Sequence, residues 1–231
     1  MITAYIPLFA ITVIVATLFS WQRRKGFSVD TLLFKVVASL CFILCGITAL
    51  MLSDSIGYGG LIVFGGVLGL CGDAFLDMKG IYPESRVKYM YAGIISFLVG
   101  HVFYVSALLL VNQLKITHII ICVVISLVVS AANLFGEKLL KLDYECFKLI
   151  VFIYGFVLFM TLSVSIMSFV VNGYSFSRLM MMLGAIFFVL SDLILNNTYF
   201  GKGFDGPVWY FTNHLSYYYG QILIMTSILN A

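Results

Sequence analysis

Charge is scarce in this chain. Asp, Glu, Lys and Arg together make up 10% of it, against 62% hydrophobic residues. A soluble domain of 231 residues needs a far more charged surface, so the composition excludes that class and points to the membrane. Proline is almost missing, at three residues, and none is expected in the middle of an apolar run. The three histidines show neither H-x-x-x-H nor H-E-x-x-H spacing, which disfavours intramembrane metal hydrolysis and implies no metal or cofactor. Cys41, Cys45, Cys71, Cys122 and Cys146 lie in or beside apolar runs without C-x-x-C spacing, a pattern that argues against disulfides and a thiolate metal site. No basic stretch precedes the first apolar run; Arg23, Arg24 and Lys25 follow it, so it reads as a span and not as a secretory signal.

What is present is a succession of long apolar runs. A membrane-spanning helix needs about 20 mostly apolar residues. Eight such segments are expected, at 2–21, 31–52, 57–78, 89–111, 116–135, 147–171, 178–200 and 209–229. The connections are short, leaving no room for a soluble domain. The fold class expected is all-α: a polytopic integral membrane protein forming one eight-helix bundle.

The cations are unevenly placed. The first, third, fifth and seventh loops hold Arg23, Arg24, Lys25, Lys79, Arg86, Lys88, Lys138, Lys141, Lys148 and Lys202, ten of the thirteen. Lys115 and Arg178 border the even loops, and Lys35 lies inside a segment. By the positive-inside rule the odd loops are cytoplasmic and both termini face outward. The basic residues are thus an orientation signal, and nothing favours a nucleic-acid partner.

Two aspartates stand out inside this apolar context: Asp73 in Leu70-Cys-Gly-Asp-Ala-Phe-Leu76 and Asp192 in Val189-Leu-Ser-Asp-Leu-Ile-Leu195. A carboxylate at the centre of a membrane helix costs about 2.5–3.5 kcal/mol even on lenient scales, so intramembrane acids mark function by default. At a rise of about 1.5 Å per residue, Asp73 lies roughly 8 Å and Asp192 roughly 12 Å from the odd-loop ends of their helices, with His101 and Gln221 about 18 Å deep. A cavity opening toward the cytoplasmic leaflet is expected there.

Helical periodicity places the remaining candidates on common faces. Gly65, Gly69, Asp73 and Asp77 recur every four residues and form one stripe whose small members let another backbone approach. Gly93, Phe97, His101 and Tyr104 share a face of the fourth segment. In the seventh, Gly184, Phe188, Asp192 and Asn196 align, with Ser191 beside them. In the eighth, Asn213, Tyr217 and Gln221 align, with Tyr218 adjacent. Asp77 suits either a substrate contact or a watery helix end, and Lys35 either a ligand or a snorkelling cation. His118 and His214 are expected to do nothing chemical.

A weak internal repeat accompanies these faces. Gly72-Asp73-x-x-Leu76 matches Ser191-Asp192-x-x-Leu195 at an offset of 119, and Gly100-His101 matches Gly220-Gln221 at 120. The expectation is a 4+4 arrangement, about 1–115 and 116–231, with a pseudo-two-fold axis along the membrane normal.

In their order, Gly72-Asp73-Ala-Phe-Leu76, Gly100-His101-Val-Phe-Tyr104, Leu190-Ser191-Asp192-Leu-Ile-Leu195 and Tyr218-Tyr-Gly-Gln221-Ile-Leu-Ile224 resemble the YhhN family of eight-helix membrane proteins, whose characterised animal members are lysoplasmalogenases. Lys35, opening the second segment, also fits. The chain departs from the family after Leu195, reading Asn196-Asn-Thr-Tyr-Phe200 where Ala-x-Asn-Arg-Phe is common. The resemblance implies hydrolysis of the vinyl-ether bond of a lysophospholipid, releasing a fatty aldehyde and a glycerophospho-headgroup. Such cleavage begins with protonation of the alkene carbon and ends with water capturing an oxocarbenium ion. Two carboxyl groups suit it, one delivering the proton and one staying ionised. Asp73 and Asp192 are the expected catalytic pair, in either assignment. The same resemblance makes Lys35, Asp77, His101, Tyr104, Ser191, Asn196, Tyr217, Tyr218 and Gln221 candidates for substrate contact, with Lys35 meeting the phosphate. Membrane lipids are the surroundings and a lysophospholipid the partner. The alternative is a small-molecule or lipid transporter, a proton-coupled carrier using the same carboxylates.

Overall fold

A computed structural model describes residues 2–203 and 206–231. It contains eight long helices: α1 (Ile2–Gln22), α2 (Val29–Leu50), α3 (Ile56–Ile81), α4 (Arg86–Val111), α5 (Ile116–Phe135), α6 (Lys148–Asn172), α7 (Phe176–Phe200) and α8 (Pro207–Thr226). No strand occurs among the described residues. Each helix overlies one of the eight apolar segments. Seven are long and apolar enough to cross a membrane; α8, carrying Asn213, His214, Gln221 and four tyrosines, is not on that measure. Pro7 is the sixth residue of α1, so one proline does fall within a helix, though near its end.

Local chemistry sets the helix ends. Ser28 caps α2 in a reciprocal exchange with Thr31: the Thr31 amide donates to the serine hydroxyl, and the Ser28 amide donates to the Thr31 hydroxyl. Ser175 accepts from the Arg178 amide to start α7. Pro207 occupies the first turn of α8, where its missing N–H costs nothing. Gly173, at φ +74°, ends α6 in a conformation other residues adopt only with strain.

Consecutive helices pack against one another from α1 to α4 and from α5 to α8; α4 also packs on α6, and α8 on α1 and α2. The tightest contacts are two antiparallel hairpins, α3–α4 and α7–α8, and both close on glycine pairs. A Cβ on Gly100 would stand 2.9 Å from the Gly65 carbonyl oxygen, and one on Gly220 would stand 3.0 Å from that of Gly184. Lipid tails are as apolar as leucine, so helices in a bilayer associate through such close packing and through polar links. The outer surface is apolar, as on α5, where Ile120, Ile121, Val124, Ile125 and Val128 are exposed.

Candidate active site

The α3–α4 and α7–α8 hairpins, with α2 and α6, enclose a cavity of about 720 Å³ including its mouth. Asp73 from α3 and Asp192 from α7 both line it. So do Lys35, Ser191, Asn196 and Tyr217 from the candidates named above. Leu76, Ile94, Phe97, Val151, Leu195 and Phe200 make most of the wall apolar. A single hydrocarbon chain next to a few polar groups matches that lining.

The two carboxyl groups have different surroundings. Asp73 is 2% exposed. Its Oδ1 lies 3.2 Å from the Lys35 ammonium, while its Oδ2 accepts from the hydroxyls of Ser39 and Tyr217, each at 2.7 Å. Three donors, one of them cationic, are the set an ionised carboxylate takes. Asp192 is only half-buried and accepts from the Tyr154 hydroxyl and, at 3.3 Å, from Ser191. Among the described residues no cation pairs with it.

Behind Asp73 the polar groups continue in a chain. Tyr104 donates to Gln221 Oε1 at 2.8 Å, Gln221 Nε2 reaches the Tyr217 hydroxyl at 3.4 Å, and Tyr217 donates to Asp73. Tyr218 joins Ser39 at 3.2 Å and donates to the Lys35 carbonyl oxygen. Tyr104, Tyr218 and Gln221 therefore buttress the carboxylate and do not line the cavity. Glycine makes room for this: a Cβ on Gly69 would meet Gln221 Nε2 at 2.8 Å.

Three expectations change. Asp77 is no watery helix end; it is 1% exposed, its Oδ1 3.0 Å from Lys35 and its Oδ2 3.2 Å from Arg23. Arg23, read as an orientation charge, is pulled in from the short 3-10 turn after α1 and buried to 2%. Lys35 does not snorkel, and its charge is divided between two carboxylates, which leaves it poorly placed to bind a phosphate as well. Desolvation explains all three: leaving a buried charge unmatched is costly, so these groups pair with one another.

His101 is buried outside the cavity, its Nδ1 3.0 Å from the Thr161 hydroxyl and its ring edge-on to Phe188. Asn196 lines the cavity and donates to the Tyr144 hydroxyl at 3.0 Å. His214, dismissed on its helix-end position, borders the cavity, with Nδ1 2.8 Å from the Tyr210 carbonyl oxygen.

Sequence reasoning missed Tyr154, Ser39 and Asn213. Asn213 had been placed on the right face without a role; it donates to the Ser191 carbonyl oxygen at 2.6 Å and so ties α8 to α7 beside Asp192. For Tyr154 a signal existed. It follows Lys35 by 119 residues, the same step that separates Asp192 from Asp73. Each aspartate thus takes a partner from the seventh residue of the preceding helix, Lys35 of α2 for Asp73 and Tyr154 of α6 for Asp192.

The sequence model of the YhhN family matches residues 30–228, most of the chain and all of the cavity's lining. No curated protein and no solved structure matches the chain.

Proposed function

The chain belongs to the YhhN family, and on that premise we propose that it is an intramembrane hydrolase cleaving the vinyl-ether bond of lysoplasmalogens. The observation that carries the reading is the pair of aspartates lining one largely apolar cavity with unlike partners, Lys35 on Asp73 and Tyr154 on Asp192.

That asymmetry divides the labour. Asp192, without a cationic partner, is the acid: it gives its proton to the alkene carbon of the vinyl ether, leaving an oxocarbenium ion. Asp73, matched by Lys35, stays ionised. Its negative charge stabilises the cation across the cavity and accepts the proton of the attacking water. The hemiacetal then gives its hydroxyl proton to Asp192 as its C–O bond to glycerol breaks, the leaving glycerol oxygen takes the proton that Asp73 had accepted, and the aldehyde departs with both carboxyls back in their starting states. Tyr217 and Ser39 hold Asp73 in place, and Tyr154 holds Asp192. The leucine, isoleucine and phenylalanine lining receives the alkenyl chain. In this reading α8 crosses the bilayer with the other seven helices, its polar face spent on the site. Both termini lie outside, and the cavity opens to the cytoplasmic leaflet.

The test is aldehyde release from lysoplasmenyl-ethanolamine and lysoplasmenyl-choline by the purified protein. Wild type should release it, whereas Asp73→Asn and Asp192→Asn should not while remaining folded. Wild type that releases none, but takes up solute into liposomes in a pH-dependent way, would instead be a proton-coupled carrier.

A further inference from the structure

A second, more open recess, of about 570 Å³ including its mouth, adjoins the first at the odd-loop end of the bundle. Phe27, Lys79, Gly80, Arg86, Thr198 and Tyr210 line it, and Tyr199 lines both cavities. Two cations and two hydroxyl-bearing rings in one recess, with no carboxylate on its wall among the described residues, suit an anion. The charges nearby sharpen this. Arg23 and Lys35 are matched by Asp77 and Asp73, and Arg86 by Glu145 at 3.1 Å. Lys79 is different. It is 9% exposed, its ammonium sits over the Tyr199 ring at 2.7 Å from the centroid, and no carboxylate pairs with it among the described residues. Arg86, Arg23 and Lys35 add positive potential at Lys79, and Asp77, already shared by Arg23 and Lys35, offsets only part of it. A buried cation without a counter-ion is costly, and an incoming anion removes that cost.

We propose that this recess binds the phosphate of a single-chain phospholipid, with Lys79 as the principal ligand and Arg86 at the rim. The proposal rests on reading the neighbouring cavity as the site of a lysophospholipid ether, and it moves phosphate recognition from Lys35 to Lys79. The spacing agrees. Lys79 follows Asp73 by six residues and Tyr199 follows Asp192 by seven, so the recess lies about 9–11 Å along the helix axes from the aspartates. The glycerol carbons and the lysine side chain bridge that order of distance. Tyr199, whose ring faces the ammonium, is the shared wall past which the glycerol passes.

Binding, not turnover, tests it. The purified protein is offered a saturated alkyl-ether lysophosphocholine, which has no alkene to cleave, and the alkylglycerol that lacks the phosphate. Wild type should bind the first more tightly. Lys79→Met should erase that advantage, a loss on the order of tenfold, and leave alkylglycerol affinity unchanged. Thr198→Glu, which adds an anion to the wall without touching Lys79, should do the same if the methionine variant does not fold. Displacement by inorganic phosphate would identify a site for phosphate in any setting. A lack of displacement with the Lys79 dependence intact would identify one that requires the attached lipid. Equal affinity for both probes in wild type, or unchanged affinity in both variants, would overturn the proposal. Lys79-dependent binding in a protein that releases no aldehyde would keep this site and remove the hydrolase. Aldehyde release with Lys79-independent binding would do the reverse.

Discussion

The ammonium of Lys35 lies 3.2 Å from Asp73 and 3.0 Å from Asp77, so one buried cation joins two carboxylates a helical turn apart. The arrangement puts both the charge state of the site and the docking of α2 on α3 under the control of a single side chain.

Removing that side chain should therefore be severe. Lys35→Met leaves two buried carboxylates with Arg23 alone, and breaking a buried pair costs about 3–5 kcal/mol. The midpoint of thermal unfolding in detergent should fall accordingly. An unchanged midpoint would mean the pair contributes nothing.

Tyr154 is the test of the second aspartate. Tyr154→Phe keeps the ring that packs on His101 but deletes the hydroxyl that holds Asp192. Stability should fall by about 0.5–1.5 kcal/mol, the net worth of one hydrogen bond between neutral groups. The rate should suffer more: with the proton-donating carboxyl no longer held in place, kcat for aldehyde release should drop roughly tenfold to hundredfold, about 1.4–2.7 kcal/mol of transition-state stabilisation, with KM nearly unchanged.

Glycine at the hairpin contacts is a packing requirement. A Cβ on Gly220 would sit 2.9 Å from the Phe188 amide nitrogen and 3.0 Å from the Gly184 carbonyl oxygen, both fixed backbone atoms. Gly220→Ala should destabilise by about 1–3 kcal/mol. Gly60→Ala, with no heavy atom within 4 Å of the new carbon, serves as the control and should lose nothing. Equal melting temperatures for the two variants would contradict the close-packed contact.

Sidedness is open to a chemical label. Cys146 is exposed in the connection between α5 and α6, whereas Cys41, Cys45, Cys71 and Cys122 are buried or half-buried in helices. An impermeant maleimide should modify Cys146 in inside-out vesicles and spare it in right-side-out ones. The opposite result would place both termini in the cytoplasm.

How much could be read in advance differs from element to element. The eight helices were legible because lipid leaves a spanning backbone no alternative to pairing with itself, and runs of about 20 apolar residues announce it. Asp73 and Asp192 were legible because carboxylates are costly there. Arg23, Asp77 and Lys79 were not. Beside a loop, a charge destined for solvent and one drawn into the bundle look alike, and only the neighbours that close over it tell them apart. Tyr154 carries no anomaly of its own in an apolar helix, since tyrosine is at home in membranes. Its 119-residue step from Lys35 identifies it only once the first pair has been seen in space. Gly65 and Gly184 share the step of 119, and Gly100 and Gly220 that of 120, so superposing α1–α4 on α5–α8 in an experimental structure is the direct measure of the proposed 4+4 repeat.

The order of residues determined, by itself, that the chain is a bundle of helices, and which positions share a face and a depth, because helical period and rise are constants of the backbone. The partner each aspartate meets, lysine or tyrosine, was settled by tertiary structure alone. Period and rise leave the rotation of each helix about its axis undetermined, and the close approach of glycines from different helices supplies it.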